Sequence, residues 1–256
     1  MLLKKFEDFK NNKLNKTFVL ENMLPPGTEL MKNKEDLVQK MKNLPNNNEE
    51  DWGNDANFIM DMREVFYNMY SDKENQDIDS IDDMVYYAFE NYGILPGFTI
   101  LLSNYNGQVN NGGHIQYFGN GYASSGSSGA FQSHDDLEMH DVMLDAWKES
   151  GFNKFSKSGR KAFEVAQEFE IERAEDDCSY CGGSGQEEEE VEHEDEEGDT
   201  YTETEYDTCG ECRGTGTIES DDMEVVNADV LDSRLYDVNS RLLYDLERFL
   251  MIKYLD

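Results

Sequence analysis

Apolar positions along the chain recur mostly three and four residues apart, the spacing of a helical face. Leu2, Leu3, Phe6 and Phe9 make one such stripe, and Leu30, Leu37, Met41 and Leu44 another. Pro25-Pro26-Gly27 breaks the chain between them, and Leu44-Pro45 runs into Asn46, Asn47 and Asn48 as a linker. Phe58, Ile59, Met62, Val65, Phe66 and Met69 predict an amphipathic helix from Asn57 to Tyr70. Ser80 with Asp83 is a capping box for a second, through Val85, Tyr86, Phe89 and Tyr92, which Gly93 ends. The apolar run Ile94 to Leu102 fits a buried helix opened by Pro96 or a strand, and its helical neighbours favour the helix. Ser133 and Asp136 cap a helix carrying Leu137, Met143, Leu144 and Trp147, and a further helix is expected over 158–175. The longest periodic stretch is 228–255, through Leu231, Leu235, Val238, Leu242, Leu246, Phe249, Leu250 and Ile252.

Two segments break this pattern. Residues 103–130 are dominated by Asn, Gly and Ser around an aromatic cluster of Tyr117, Phe118 and Tyr122. The second holds all four cysteines, Cys178 and Cys181 in one C-x-x-C pair and Cys209 and Cys212 in the other. Each pair continues as C-x-x-C-x-G-x-G, with Gly183 and Gly185 in the first and Gly214 and Gly216 in the second. A C-x-x-C turn sets two thiolates on one side of a knuckle, and two knuckles make a tetrahedral sulfur site that suits one Zn²⁺. With every position filled by Cys, no ligand position is open to water, so the ion is expected to be structural. Two disulfides, or a redox pair, are the alternatives. Neither pair sits in a βαβ context of the thioredoxin kind.

Between the knuckles, Glu187, Glu188, Glu189, Glu190, Glu192, Glu194, Asp195, Glu196, Glu197 and Asp199 form a nearly unbroken acidic arm. Gly198-Asp199 offers a turn, and Thr200 to Tyr206, with Glu203 and Glu205, alternates like a strand. A β-hairpin pinned at its base by zinc follows, against the alternative of a solvated acidic loop. Alternate residues of a strand recur on one face about every 6.6 Å. Rows of carboxylates on such a ribbon approach the density of a duplex, which carries about one charge per 1.7 Å of axis. The expected fold class is therefore mainly α: a compact helical domain with an inserted zinc-bound β-hairpin. Its parts are a basic helical arm (1–48), a first helical part (49–176), the zinc-knuckle insertion (177–220) and a closing helix (221–256).

Charge narrows the function. The chain of 256 residues carries 56 Asp+Glu against 22 Lys+Arg, a net −34. Residues 170–224 hold 23 of the acids with only Arg173 and Arg213, whereas 1–48 is net +3. Direct nucleic-acid binding needs a basic patch, and an anionic membrane surface repels such a chain. Hydrophobic residues at 38% argue against wholesale disorder. No apolar run reaches eighteen residues and no secretory leader opens the chain, so a cytoplasmic location is expected. Salt adaptation explains the acidity poorly, because Lys outnumbers Arg by 15 to 7.

The repeat C-x-x-C-x-G-x-G resembles the DnaJ-type cysteine-rich zinc finger, which has four such repeats where this chain has two. The chain contains no His-Pro-Asp signature of a J-domain. A second resemblance is wider. Val109-Asn110-Asn111-Gly112-Gly113-His114-Ile115-Gln116-Tyr117-Phe118 resembles the signature of a bacterial helical family, the DNA-mimic protein 19-like family (domain of unknown function 4375). Leu231-Asp232-Ser233-Arg234-Leu235-Tyr236 resembles the end of the same domain. This chain departs from the family in carrying His114 after Gly-Gly, and in the inserted cysteine segment. The resemblance implies an all-helical domain, often a homodimer, whose acidic surface imitates duplex DNA. It gives Asn111, Gly112, Gly113, Gln116, Tyr117 and Phe118 a structural part, closing a loop against the helices.

For catalysis the chain offers little. His114, His134, His140 and His193 are its histidines, and no spacing among them and the nearby carboxylates matches a metal or acid–base site. No phosphate-binding glycine loop is present. His114, beside Gly112-Gly113, is the best lone catalytic candidate. The expectation is thus a non-enzymatic acidic protein that occupies the basic cleft of a DNA-binding or DNA-processing protein, with phage anti-defence (against restriction or CRISPR nucleases) as a natural setting. The alternative is a DnaJ-like, chaperone-type protein-binding module without mimicry.

Overall fold

The computed structural model describes residues 24, 28–45, 47–71, 81–121, 123, 137–194 and 200–256. Among these are eight α-helices: α1 (Lys34–Lys42), α2 (Asn57–Ser71), α3 (Ile81–Tyr92), α4 (Ile94–Gly119), α5 (Glu138–Ser150), α6 (Phe152–Phe155), α7 (Lys157–Ala166) and α8 (Ala228–Leu255). Four strands lie between α7 and α8: β1 (Ile171–Asp177), β2 (Gln186–Glu194), β3 (Thr200–Thr208) and β4 (Thr217–Val225). The protein is mostly helical, with two small antiparallel sheets, β1·β4 and β2·β3. The helix starts expected at Leu2, Ser80 and Ser133 lie outside the described residues, as does the turn at Gly198-Asp199.

The chain forms two compact units. The first comprises 1–104, 139–164 and 238–256. Its core is aromatic: Phe98 packs on Trp147 and Phe152 at ring separations of 5.7 and 6.0 Å, and Phe152 continues to Phe249 at 5.6 Å. These four, with Phe58, Phe66, Leu242 and Leu246, are almost wholly buried. The first turn of α4 lacks helical partners for its N–H groups. Ile94 and Leu95 donate instead to the carbonyls of Glu29 and Leu30, and Pro96, which has no N–H, fits the third position.

The second unit comprises 105–138 and 165–237, and holds all four strands. Here the structure corrects the helix expected over 158–175. It ends at Ala166, and Ile171–Asp177 is a strand paired with Thr217–Val225. Glu172 to Asp177 has no strand propensity of its own, so a partner strand set by the knuckles overrides local preference. The paired strands widen the cysteine module to 171–225. The Asn- and Gly-rich stretch is also not a loop up to Gly119. Helix α4 runs through it, broken only at Gly112 and Gly113.

Candidate metal centre

Each knuckle is built by the same local rule. Cys178 and Cys209 follow β1 and β3, and Cys181 and Cys212 lie in the turn that leads into β2 and β4. The Gly185 N–H donates to the Cys181 sulfur at 3.2 Å and the Gly216 N–H to the Cys212 sulfur at 3.3 Å. The Ser184 hydroxyl bridges the carbonyls of Cys181 and Gln186, and the Thr215 hydroxyl those of Cys212 and Thr217, each at 2.8 Å. The cysteines, the hydroxyl and the two motif glycines of the first knuckle recur 31 residues later in the second. The two knuckles also clasp each other: the Cys178 N–H donates to Gly216 O and the Cys209 N–H to Gly185 O. A side chain at Gly185 would meet the Gly214 carbonyl at 2.5 Å, which is why this approach needs glycine.

The same offset relates the strands. β1 pairs with β4 as β3 pairs with β2, Asp177 opposing Thr217 as Thr208 opposes Gln186. The module is thus two copies of a strand–knuckle–strand unit, offset by 31 residues, that share one cluster of sulfurs. One of the differences between the knuckles bears on the backbone. Where the first knuckle has Gly182 at φ 60, the second has Arg213 at φ 55, a left-handed conformation that costs a side-chain-bearing residue.

The four sulfurs all lie within 4.8 Å of one another. Cys178 and Cys209 are 3.9 Å apart and Cys181 and Cys212 3.8 Å, far beyond a disulfide bond of about 2.05 Å. A tetrahedron with metal–sulfur bonds of about 2.3 Å has edges near 3.8 Å. The four cysteines can therefore hold one metal ion. Cys178, Cys209 and Cys212 are buried and Cys181 is half-buried. Without a metal the sulfurs share charge unevenly. Against the cost of burial, the N–H groups of Gly216 and Gly214 hold the Cys212 thiol down at about 6. The Cys212 amide favours the Cys209 thiolate, yet burial and the sulfurs of Cys212 and Cys181 push that thiol up to about 12. Four thiolates in this space need a cation.

The acidic hairpin rises from this base. Glu187 faces Asp207 and Glu189 faces Glu205 directly across the β2·β3 ladder. Glu188, Glu190, Glu192 and Glu194 occupy the opposite face, and Glu203 stands opposite Val191. The two strands carry six and three carboxylates and no Lys or Arg. At about 3.3 Å per residue that is about one charge per 3 Å, the density of one strand of a duplex rather than of both. Sheet β1·β4 repeats the arrangement with Glu172 opposite Glu224 and Glu175 opposite Glu219. His193 reaches Glu205 at 3.4 Å. Asp195, Glu196, Glu197 and Asp199 lie outside the described residues.

The signature residues serve a different site. His114 is 1% exposed, with Tyr105 Oη 2.8 Å from its Nε2 and Asp232 Oδ1 2.5 Å from its Nδ1. An ionised Asp only accepts, so Nδ1 carries the proton and the Tyr105 hydroxyl donates to Nε2. Asp232 Oδ1 also accepts the His114 backbone N–H at 2.9 Å. This contact needs the break in α4: Gly113 has φ 72, and a Cβ there would overlap the Asp232 carboxylate. Burial lowers the pKa of His114, against the pull of Asp232. Burial likewise pushes Tyr105 up, helped by the same charge. Gln116 donates to Gln108, Tyr117 meets Tyr105 edge-on at a ring separation of 4.9 Å, and Phe118 packs at a tilt on Phe169 at 5.2 Å. Asn111 and Gly112 are exposed. The sequence singled out His114 and named Asp232 only as part of the closing motif. Their meeting, and the role of Tyr105, have no signal in spacing.

No protein-family model, curated protein or solved structure matches the chain. Among the described residues, no helix is long and apolar enough to cross a membrane.

Proposed function

We propose that the chain is an acidic DNA mimic of the DNA-mimic protein 19-like kind, which binds a DNA-binding or DNA-processing protein in its basic cleft and inhibits it. In this reading the cysteine centre holds one structural Zn²⁺, the ion that four thiolates at tetrahedral spacing suit best. Phage anti-defence is the setting such an inhibitor fits. The observation that carries the reading is the pairing of like charges. Glu172–Glu224, Glu175–Glu219, Glu187–Asp207 and Glu189–Glu205 stand directly opposed in two ribbons. Such pairs destabilise a sheet by a few tenths to about 1 kcal/mol each. A surface that retains four of them is arranged for a cationic counterpart, and guanidinium or ammonium groups that grip phosphates fit between carboxylates equally well.

Tagged full chain exposed to a bacterial lysate tests this. One basic DNA-processing protein, released by excess duplex DNA, is the expected catch. A second reading, a DnaJ-like protein-binding module, draws on Tyr180 and Tyr206, 74% and 59% exposed beside the knuckles. Many unrelated clients, indifferent to DNA, would favour that reading instead.

A further inference from the structure

We infer that the cysteine centre gates the acidic ribbon: strands 171–225 fold only on the loaded centre, and the metal is held against the repulsion of the ribbon's opposed carboxylates. The inference rests on the metal half of the reading above and is independent of mimicry.

The module has no apolar core of its own. Among its described side chains, those buried are Cys178, Cys209 and Cys212, with Gly185 and Gly216 beside them, and the sulfurs form their own buried cluster. Val191, Met223 and Val225 are only half-buried, and Ile218 is exposed. Every β3 residue from Thr202 to Thr208 is exposed. A two-stranded hairpin without a packed face is marginal in water, and both ribbons here are two-stranded. The hydrogen bonds Cys178–Gly216 and Cys209–Gly185 each close the base of one ribbon, and the buried contact shared by both bases is the sulfur cluster. In such a module the free energy of metal binding is the free energy of folding.

Charge then enters the same balance. The four opposed acid pairs weaken the folded ribbon and leave the unfolded one almost untouched. A divalent ion on four thiolates is itself net negative, which adds to the load. Relieving the repulsion must therefore tighten the metal, and by reciprocity the metal must strengthen the ribbon's hold on any cation that relieves it. Three of the four pairs lie at least three residues from every cysteine ligand, and changing two of these, Glu175–Glu219 and Glu189–Glu205, one in each ribbon, leaves the knuckles intact.

The test uses the full chain and Co²⁺, whose visible bands report tetrahedral thiolate coordination. The variant Glu175→Gln/Glu219→Gln/Glu189→Gln/Glu205→Gln is expected to bind Co²⁺ roughly three- to tenfold more tightly in chelator competition. Equal or weaker binding would overturn the coupling. Hydrogen exchange on the unaltered chain is the second measurement. Amides of 186–194 and 200–208 should be protected with metal and exchange freely after chelation, while α2 and α8 keep their protection. A ribbon that stays protected without metal would overturn the gating. Loss of DNA-sensitive partner binding would leave both results standing, so the two proposals fail separately.

Discussion

His114 and Asp232, 118 residues apart in sequence, are joined twice, through the His114 backbone N–H and through its ring Nδ1. The bond pins the glycine break of α4 against the first turns of α8 and closes a buried chain that runs from Tyr105 through His114 to Asp232.

That chain sets a pH dependence. The folded pKa of His114 lies below its ordinary 6.5, so the unfolded chain takes up the proton first as pH falls. The stability due to this group is complete above about 6.5 and declines as pH drops toward the folded value. Urea unfolding of the His114→Asn variant should lack that decline, at a cost of about 1–3 kcal/mol at pH 8 for the lost ring hydrogen bonds to Tyr105 and Asp232. Gly113→Ala should cost a comparable amount, because it forces a side chain into left-handed backbone and against Asp232. A neutral Gly113→Ala variant would remove the steric basis of the break.

The cysteine centre predicts its own chemistry. Metal analysis of the native chain should find about one ion, and Cys181→Ser or Cys209→Ser should release it. The helical circular dichroism should persist in both variants, because the first unit contains none of these residues. A native chain that carries no metal and two disulfides would contradict the site.

Arg213 offers a gain rather than a loss. It holds φ 55 at the position where its twin, Gly182, is free to do so. Arg213→Gly should stabilise the loaded module by about 1 kcal/mol, read as slower metal loss to a chelator. No change would mean that the Arg213 side chain repays its backbone strain.

Glu247 predicts the opposite pH trend from His114. It is 1% exposed, and burial raises its carboxyl against the N–H groups of Gly53, Ile59 and Phe58. The unfolded chain therefore loses this proton first, and stability drains as pH rises from about 4.5 through the raised value. Glu247→Gln should remove that loss, so the variant gains on the native chain as pH rises above about 4.5 in thermal unfolding.

The helical register was legible because apolar spacing is a local property. Phe58, Ile59 and Val65 sit on the buried face of α2, and α8 spans the 228–255 marked by its leucines. The cysteine cluster was legible for the same reason, since each knuckle is written within nine residues. Strand β1 was not. Ile171 to Asp177 pairs with residues forty or more positions away, and nothing in Glu172 or Asp176 announces it. The Tyr105–His114–Asp232 chain was hidden likewise: Gly112-Gly113 advertises a break in the backbone, and only the folded chain says that the break makes room for a carboxylate.

Whether the acidic ribbon stands in for a duplex is decided by displacement. A labelled duplex is bound to the captured partner, and the chain is titrated in. A DNA-mimicking ribbon should give full competitive release at low salt, weakening steeply as salt rises, and much weaker release by a chain with Glu187, Glu189, Glu203 and Glu205 changed to Gln. A partner that keeps its duplex while binding the chain, or release unaffected by those four changes, would contradict the mimicry.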